Sequence, residues 1–216
     1  MILTCLVTHE RLAYSQRCLA SWKATTRPDD RLVIVDNASA DGTVDWLKGL
    51  DVPVIFNAVN AYPGLACNQG WDAALSTCEP EFLHRSDNDI EYLPGWADEV
   101  EAAFAAHPDL ALLGILNLHE DRDSGFPEAE AGSIEPCYRV GGNVVMRTAM
   151  FREGARWQEG FLEDGPMSEA GHARGIVAML VRTVANNMAF HRYSDYPAYY
   201  NRTAEVRGIG DPEHSV

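Results

Sequence analysis

Two aspartates separated by one residue, Asp87 and Asp89, are the side chains in this sequence best suited to chemistry. They follow a short strand-like run at residues 80–84 and precede a segment that indicates a turn into a helix. Ionised carboxylates at the buried end of a strand need a counter-charge, because removing a charge from water without a partner is costly. Ligand sets made of oxygen atoms favour Mg²⁺ or Mn²⁺ over zinc. The pair therefore predicts a divalent-cation site, although acid pairs also occur in ordinary turns that cap a helix.

The elements that must position this pair alternate regularly through the first half of the chain. Apolar runs of strand length occur at residues 2–7, 31–35 and 52–57, and a fourth run leads to Asp87. Apolar residues at helical spacing lie between them, at residues 12–25, 44–50 and 65–77. This alternation predicts right-handed crossovers and a mostly parallel sheet with helices on both faces. Open sheets of this class bind ligands at the carboxyl ends of their strands, where Asp87 is expected.

The second half of the chain has a less regular pattern. It predicts a helix at residues 93–106, a strand at 110–116, a short helix at 167–173 and a strand at 176–184. Residues 139–147 read as a strand containing the pair Gly141 and Gly142, which suggests the close approach of a ligand or of another backbone segment. The acidic, glycine- and proline-containing residues 117–136 predict a long mobile loop.

Composition limits the class of protein. A chain of 216 residues with 46% hydrophobic residues is long enough for one large domain with a substantial core. The net charge of -15 argues against nonspecific binding to nucleic acid or to anionic lipid. Five cysteines without a CxxC spacing indicate reduced thiols, and neither a signal peptide nor a membrane-spanning run is found in the sequence. We therefore expect a soluble, cytoplasmic protein.

Several segments, taken in order, resemble the motifs of one enzyme family. Residues 33–43, Val-Ile-Val-Asp-Asn-Ala-Ser-Ala-Asp-Gly-Thr, closely match its Val-Asp-Asn-Gly-Ser-x-Asp-Gly-Thr pattern, and residues 87–89 stand at its metal-binding Asp-x-Asp. Supporting similarities lie at residues 6–11, where His9 and Glu10 depart from the pattern, and at residues 64–70, residues 163–164 and His191. On these residues the sequence resembles a family 2 glycosyltransferase of the GT-A fold over residues 1–191. The resemblance implies an α/β fold, a GT-A type, Rossmann-like three-layer sandwich with a mostly parallel central sheet.

The resemblance also implies ligand-binding roles. The cation, Mn²⁺ or Mg²⁺, is expected to be bound by Asp89, His191 and Asp87. Contacts with the nucleotide sugar are expected from the following residues: Thr8, Arg11, Asp36, Asn68 and Asp87.

Plainer alternatives accompany these roles. His191 could be a surface or core side chain, Arg11 a solvated charge, and Asn68 an exposed polar residue. Asp36 could cap the helix that follows it, although Ser39 and Asp41 suit that task better.

The general base is expected in the acid pair at residues 163–164. Asp164 is the first candidate, with Glu163 beside it; a helix cap is the alternative role. The residues after the pair, Gly-Pro-Met, depart from the family's Asp-Leu-x-x-Arg, so Glu163 and Glu169 stay open as alternatives. A single base on the acceptor side implies direct displacement at the anomeric carbon, with inversion. The nearby aromatic residues Trp157 and Phe161 could stack on a sugar face.

The predicted function is that of a metal-dependent inverting glycosyltransferase. It would move a sugar from a nucleoside-diphosphate sugar to a saccharide or another hydroxyl acceptor. Residues 1–92 would bind the donor and residues 93–191 the acceptor, with residues 192–216 as a tail that could close as a lid. A sugar nucleotidyltransferase is the first alternative, although residues 8–11 lack the glycine-rich loop expected of one. A non-catalytic nucleotide-sugar or glycan-binding module on the same fold is the second.

Overall fold

An eight-stranded sheet forms the centre of the protein in the computed structural model, which describes residues 1–115, 129–160 and 163–188. Its strands are β1 (Ile2–Thr8), β2 (Arg31–Asp36), β3 (Val54–Phe56), β4 (Phe82–Asp87), β6 (Leu110–Gly114), β7 (Ile134–Pro136), β8 (Val144–Arg147) and β9 (Ile176–Leu180). Two further strands, β5 (Ile90–Tyr92) and β10 (Ala185–Asn187), form a separate antiparallel pair. The helices are α1 (Leu12–Thr25), α2 (Thr43–Lys48), α3 (Pro63–Ala74), α4 (Trp96–Ala106), α5 (Thr148–Arg152) and α6 (Asp164–His172).

The strand order, β3-β2-β1-β4-β8-β6-β9-β7, contains a reversal beside β1. From β1 the chain proceeds to β2 and β3 on one side, and it then returns to place β4 on the other side. β1 pairs in parallel with both β2 and β4, and the registers align Thr8 with Asp36 and Val7 with Asp87. The carboxyl ends of these strands therefore lie side by side. A reversal of strand order at carboxyl ends is where open α/β sheets bind ligands.

Helices cover both faces of the sheet and bury a separate apolar layer on each. On one face α1, α2 and α4 pack over the sheet around Trp22, Leu47 and Trp96. On the other face α3, α5 and α6 pack around Trp71, Phe151 and Met167. All seven residues of β1 are buried, as its apolar run predicts for a central strand. The α/β three-layer architecture expected from the sequence is confirmed.

The second half of the sheet is less parallel than the first. β6 and β9 form a parallel pair, whereas β8 runs antiparallel to both β4 and β6. β8 begins at Val144, five residues after the start of the predicted strand, and Gly142 before it approaches the site described below. β7 lies within the predicted 117–136 loop, where Pro136 is tolerated because β7 is an edge strand. The sheet is still mostly parallel.

Within the described ranges, no helix has both the length and the apolar character needed to cross a membrane.

Candidate active site

Strained backbone is concentrated at the carboxyl edge of the sheet. Among the described residues, the non-glycine residues with positive φ are Glu10 at 53°, Arg11 at 56°, Ala38 at 65° and Tyr62 at 65°. The first two follow β1, Ala38 follows β2, and Tyr62 immediately precedes α3. Each such conformation costs about 1–3 kcal/mol and persists where the surrounding structure enforces it, as ligand sites often do. The strain therefore marks the same edge as the strand reversal.

Asp36, the last residue of β2, is buried, and both of its carboxylate oxygens accept hydrogen bonds. Its Oδ1 accepts from Thr8 Oγ1 at 3.0 Å and from Ser39 Oγ at 2.6 Å, and its Oδ2 accepts from the Ser39 backbone N–H at 3.0 Å. Asp41 accepts the hydrogen bonds at the start of α2, as expected. Asp36 nevertheless also accepts hydrogen bonds within the turn after β2, from Ser39. It holds the loop after β2 against the end of β1, which fixes the direction of the carboxylate.

Arg11 and Asp89 form a buried ion pair across the strand reversal. Arg11 Nη1 lies 2.8 Å from Asp89 Oδ2, with side-chain exposures of 7% and 12%. Arg11 Nη2 also donates to Asn88 Oδ1 at 2.5 Å, and Asn88 Nδ2 donates to Ser15 Oγ at 2.8 Å. The alternative of a solvated charge for Arg11 is therefore wrong. The residues after β4 are therefore joined to the start of α1.

A second buried arginine, Arg85, gathers three carboxylates that come from two parts of the chain. Its Nη2 lies 3.4 Å from Asp87 Oδ1 and 3.1 Å from Glu163 Oε1, and its Nη1 lies 3.4 Å from Asp164 Oδ1. The guanidinium carbon lies 4.4 Å from the ring centre of Trp157. Arg85 is not among the site residues expected from the sequence. The sequence feature that could have indicated Arg85 is a charged residue within a strand that is expected to be buried.

Asp87 lies where these two clusters meet, and its pKa is raised mainly by burial. Removal from water is the largest cause that raises the pKa of Asp87, to about 6; the Arg85 guanidinium lowers it, and the charges of Asp89 and Asp164 raise it further. Gly142, which precedes β8, lies against this carboxylate, since a Cβ there would be 2.1 Å from Asp87 Oδ2. A bound cation would offset the negative charge of Asp87 and its neighbouring carboxylates.

The three acids proposed as the base occupy different environments. Glu163 is buried, with its side chain 3% exposed, whereas the side chain of Asp164 at the start of α6 is 26% exposed. Glu169 is exposed and lies five residues further along α6, which is roughly 140° around a helix of 3.6 residues per turn. The structure therefore brings Glu163 and Asp164 to Asp87, but not Glu169.

Two of the residues expected to contact a ligand, Asn68 and Trp157, make structural contacts with each other. Asn68 Nδ2 donates to the backbone oxygen of Trp157 at 2.9 Å, and Asn68 Oδ1 accepts from the Trp157 backbone N–H at 3.2 Å. Trp157 is 2% exposed and lies beneath Arg85, so its ring is not a platform for a sugar. His191 and Phe161 lie outside the described residues, and their roles stay predictions.

A sequence model described as glycosyl transferase family 2 matches residues 4–155, which is more than half of the chain. The chain belongs to glycosyl transferase family 2. No curated protein sequence matches it. Membership favours the glycosyltransferase prediction over that of a sugar nucleotidyltransferase.

Solved structures share the fold of this family 2 member. TarS 1-349 of S. aureus has a TM-score of 0.66 at 18% identity, covering 98% of this chain and 67% of that one. The mannosyltransferase PcManGT of Pyrobaculum calidifontis, in complex with GDP-Man and Mn²⁺, has a TM-score of 0.65 at 13% identity, covering 95% and 61%. GalNAc-T7, with UDP, GalNAc and Mn²⁺, has a TM-score of 0.66 at 12% identity, covering 87% and 43%. The chain spans about two thirds or less of these proteins, and the likeness shows the fold.

The predicted divalent cation can be tested against the residues of this glycosyltransferase domain. Across residues 1–115, 129–160 and 163–188, no group of three or more His, Cys, Asp or Glu side chains could hold a metal ion. Asp87 and Asp89 nevertheless offer carboxylate oxygens, and their ion pairs use Oδ1 in Asp87 and Oδ2 in Asp89. Mg²⁺ is usually held by one or two carboxylates together with substrate phosphates. The two aspartates fit that arrangement.

Proposed function

We propose that this family 2 glycosyltransferase domain transfers a sugar from a nucleoside-diphosphate sugar to a hydroxyl group of an acceptor. The observation that carries the proposal is the meeting of Asp36, Asp87 and Asp164 at one edge of the sheet, beside the strand reversal. TarS has been solved with UDP-GlcNAc and PcManGT with GDP-Man, which supports a donor of this chemical class.

The donor would bind over the ends of β1 and β2. Asp36 is held in one orientation by Thr8 and Ser39, so its carboxylate can accept a hydrogen bond from a base N–H or a ribose hydroxyl without reordering. Arg11 carries positive charge into the crevice and keeps Asp89 in place. A pre-ordered site of this kind loses less conformational entropy when the ligand binds.

Asp164 would act as the general base on the acceptor side. As the acceptor oxygen forms its bond with the anomeric carbon, the bond between that carbon and the diphosphate breaks, and the acceptor proton passes to the Asp164 carboxylate. Attack opposite the leaving group inverts the configuration. Partial exposure allows Asp164 to meet an acceptor, whereas the buried Glu163 is shielded from one. The position of Asp164 at the start of α6 also favours its ionised form.

Asp87 and Asp89 would hold a divalent cation, with His191 as a further predicted ligand. When bound, the cation would supply positive charge to neutralise the leaving diphosphate. The presence of Mn²⁺ in the PcManGT and GalNAc-T7 complexes supports testing Mn²⁺ first. A donor half at residues 1–92, an acceptor half at residues 93–191, a tail at residues 192–216 and a cytoplasmic location complete the proposal.

The experiment is a thermal-shift screen with UDP, GDP, dTDP, CDP and ADP, each with Mn²⁺, Mg²⁺ or EDTA. A ligand at 100 times its Kd stabilises the folded state by about 2.7 kcal/mol, so one nucleotide should raise Tm in a metal-dependent way. Asp89→Asn should remove the metal-dependent part of the shift. Asp45→Asn, at an exposed position on α2, is the control and should retain it. A full shift in Asp89→Asn would rule out the assigned metal role.

Turnover is tested separately with the nucleotide sugar that the screen identifies. Asp164→Asn should leave the affinity for the nucleotide unchanged and lower the rate of nucleoside-diphosphate release about 10²- to 10⁴-fold, the usual contribution of a general base. Glu169→Gln, an exposed position on the same helix, is the matched control. Normal turnover in Asp164→Asn would contradict the assignment of the base.

A further inference from the structure

We propose that Arg85 is a positioning residue that couples the donor end of the site to its acceptor end. Its guanidinium joins Asp87 of β4 to Glu163 and Asp164, which lie 76 and 77 residues further along the chain. The inference rests on the function proposed above. Arg85 takes no part in bond making, and it acts by holding Asp164 where an acceptor hydroxyl can reach it.

Stability alone does not explain an arginine at this position. Side chains at alternate strand positions share a face, so Arg85 extends toward the same apolar layer as Leu83. The side chain of Arg85 is 2% exposed. Replacing a buried ion cluster with well-packed apolar residues is often neutral or stabilising, because desolvation offsets the attraction between the charges. Apolar residues in place of both Arg85 and the buried Glu163 would serve the fold as well, so the charged cluster indicates a functional requirement.

The planar guanidinium suits a three-way contact. Nη1 faces Asp164, while Nη2 is shared between Asp87 and Glu163. A lysine ammonium is a single point of charge on a flexible stem and cannot present two separated donor nitrogens in a fixed plane. The ring of Trp157, stacked against the guanidinium, limits its remaining freedom. Arg85 thus fixes both the distance and the direction between β4 and the start of α6.

Glu163 and Asp164, the two acids at the start of α6, have different roles. Glu163 is enclosed beneath the first turn of α3, where a Cβ at Gly64 would lie 3.0 Å from Glu163 Cγ and 2.8 Å from Trp157 Cβ. Glu163 Oε2 has no hydrogen-bond partner among the described residues. The polar contact of this side chain within the described part of the protein is therefore the ion pair between Glu163 Oε1 and Arg85. Glu163 therefore anchors the segment, and Asp164 is presented at the surface of the site.

Loss of the guanidinium would leave three carboxylates close together without the charge that joins them. Mutual repulsion and hydration would then draw Asp164 and the first turn of α6 away from β4. Asp36, Thr8, Arg11 and Asp89 make hydrogen bonds and an ion pair that do not involve Arg85. Removal of Arg85 should therefore affect turnover far more than donor affinity.

The positioning role can be measured without any substrate, by amide hydrogen exchange. In Arg85→Met, and less strongly in Arg85→Lys, amides of residues 163–171 should exchange about tenfold faster or more, which reports local opening, while those of residues 2–8 stay unchanged. Glu163→Gln keeps the shape of the anchor and should give the same pattern. The control is Arg156→Met, because Arg156 also stacks on an aromatic ring, Phe151, and pairs with a carboxylate, Asp72, but at the surface. Unaltered exchange at residues 163–171 in these variants would overturn the inference.

Kinetic measurements provide a second test of the role of Arg85. With the nucleotide sugar found in the screen, Arg85→Met should lower kcat about 100-fold or more, with the Kd for the nucleoside diphosphate within about threefold of the wild type. Arg85→Lys should restore part of kcat. A parallel loss of nucleotide affinity would overturn the inference, because Arg85 would then serve donor binding. Failure of the wild-type protein to bind any nucleotide would instead refute the proposed function, and the exchange experiment would still decide the role of Arg85.

Discussion

Gly142 shows at the scale of a single residue how closely the site is packed. A Cβ at this position would lie 2.1 Å from Asp87 Oδ2 and 3.3 Å from Arg85 Nη2. A Cβ at the neighbouring Gly141 would meet no atom of the described residues within 4 Å, so the two glycines differ sharply in the space around them. A side chain at position 142 would therefore clash with the site, whereas a side chain at position 141 would have space.

We expect Gly142→Ala to displace the Asp87 carboxylate. Because a misplacement of about 1 Å in a site can cost up to about 100-fold in function, metal-dependent nucleotide affinity should fall about tenfold or more. Isothermal titration calorimetry with the nucleotide from the screen measures the change. Gly141→Ala is the matched control and should bind normally; equal affinities for both variants would show that the Asp87 carboxylate has no role in binding.

At the scale of elements, the site depends on how α3 is joined to the segment before α6. Asn68 on α3 makes two hydrogen bonds to the backbone of Trp157, on both its N–H and its oxygen. This pairing sets the position of Trp157, on which the Arg85 guanidinium stacks. The helix therefore supports the Arg85 cluster through the hydrogen bonds of Asn68 to Trp157.

Asn68→Ala should consequently weaken the fold. Loss of both hydrogen bonds leaves two enclosed backbone groups of Trp157 without partners, so the free energy of unfolding should fall by about 2–3 kcal/mol. Urea denaturation measures the loss. Gln69→Ala, at an exposed position on the same helix, should change stability little. The nucleotide affinity of folded Asn68→Ala should stay normal; a large loss of affinity with unchanged stability would return Asn68 to the ligand-binding role.

At the scale of the whole molecule, His84 occupies a polar position in the middle of the structure. Its Nδ1 lies 3.1 Å from Thr4 Oγ1 of β1, and its Nε2 lies 2.6 Å from Asn143 Oδ1 at the entry to β8. The ring also packs against Trp96 of α4. Burial lowers the pKa of His84 to about 4. Protonation of His84 would therefore disturb both the contacts within the sheet and the packing of α4 on the sheet.

Acid should destabilise the protein through His84. Between pH 6.5 and 4 the unfolded chain binds a proton at this histidine and the folded protein does not, so the free energy of unfolding should fall by about 3 kcal/mol, at 1.4 kcal/mol per pKa unit. Asp87 opposes this effect: with its pKa raised to about 6, the folded state binds that proton first as the pH falls. The wild-type pH dependence is therefore a difference between two effects.

The contribution of His84 can be isolated by comparing the wild type with His84→Gln in urea denaturation from pH 7 to pH 4. The stability difference should move in favour of the variant by about 3 kcal/mol over this range. His172→Gln, at an exposed position at the end of α6, should follow the wild type. A difference between wild type and His84→Gln that does not vary with pH would show that His84 titrates normally in the folded protein.

Local sequence patterns were sufficient to predict the first half of the fold. The apolar runs that became β1, β2 and β4 are local patterns, and burial on both faces of a parallel sheet requires them. Asp36 and Asp87 ended up at one edge because parallel strands place their carboxyl ends together. Motif order then indicated the family, which the match over residues 4–155 shows.

The pairing of the charges depends on contacts between distant parts of the chain. Arg11 lies 78 residues from Asp89, and Arg85 lies 79 residues from Asp164. Asn68 was expected at the nucleotide, yet it is bonded to a backbone 89 residues away. The antiparallel course of β8, which brings Gly142 to Asp87, also has no local signature. The physical reason is that periodicity and propensity act over neighbouring residues, whereas the partner of a buried charge is chosen by which segments the completed sheet and its helices bring into contact.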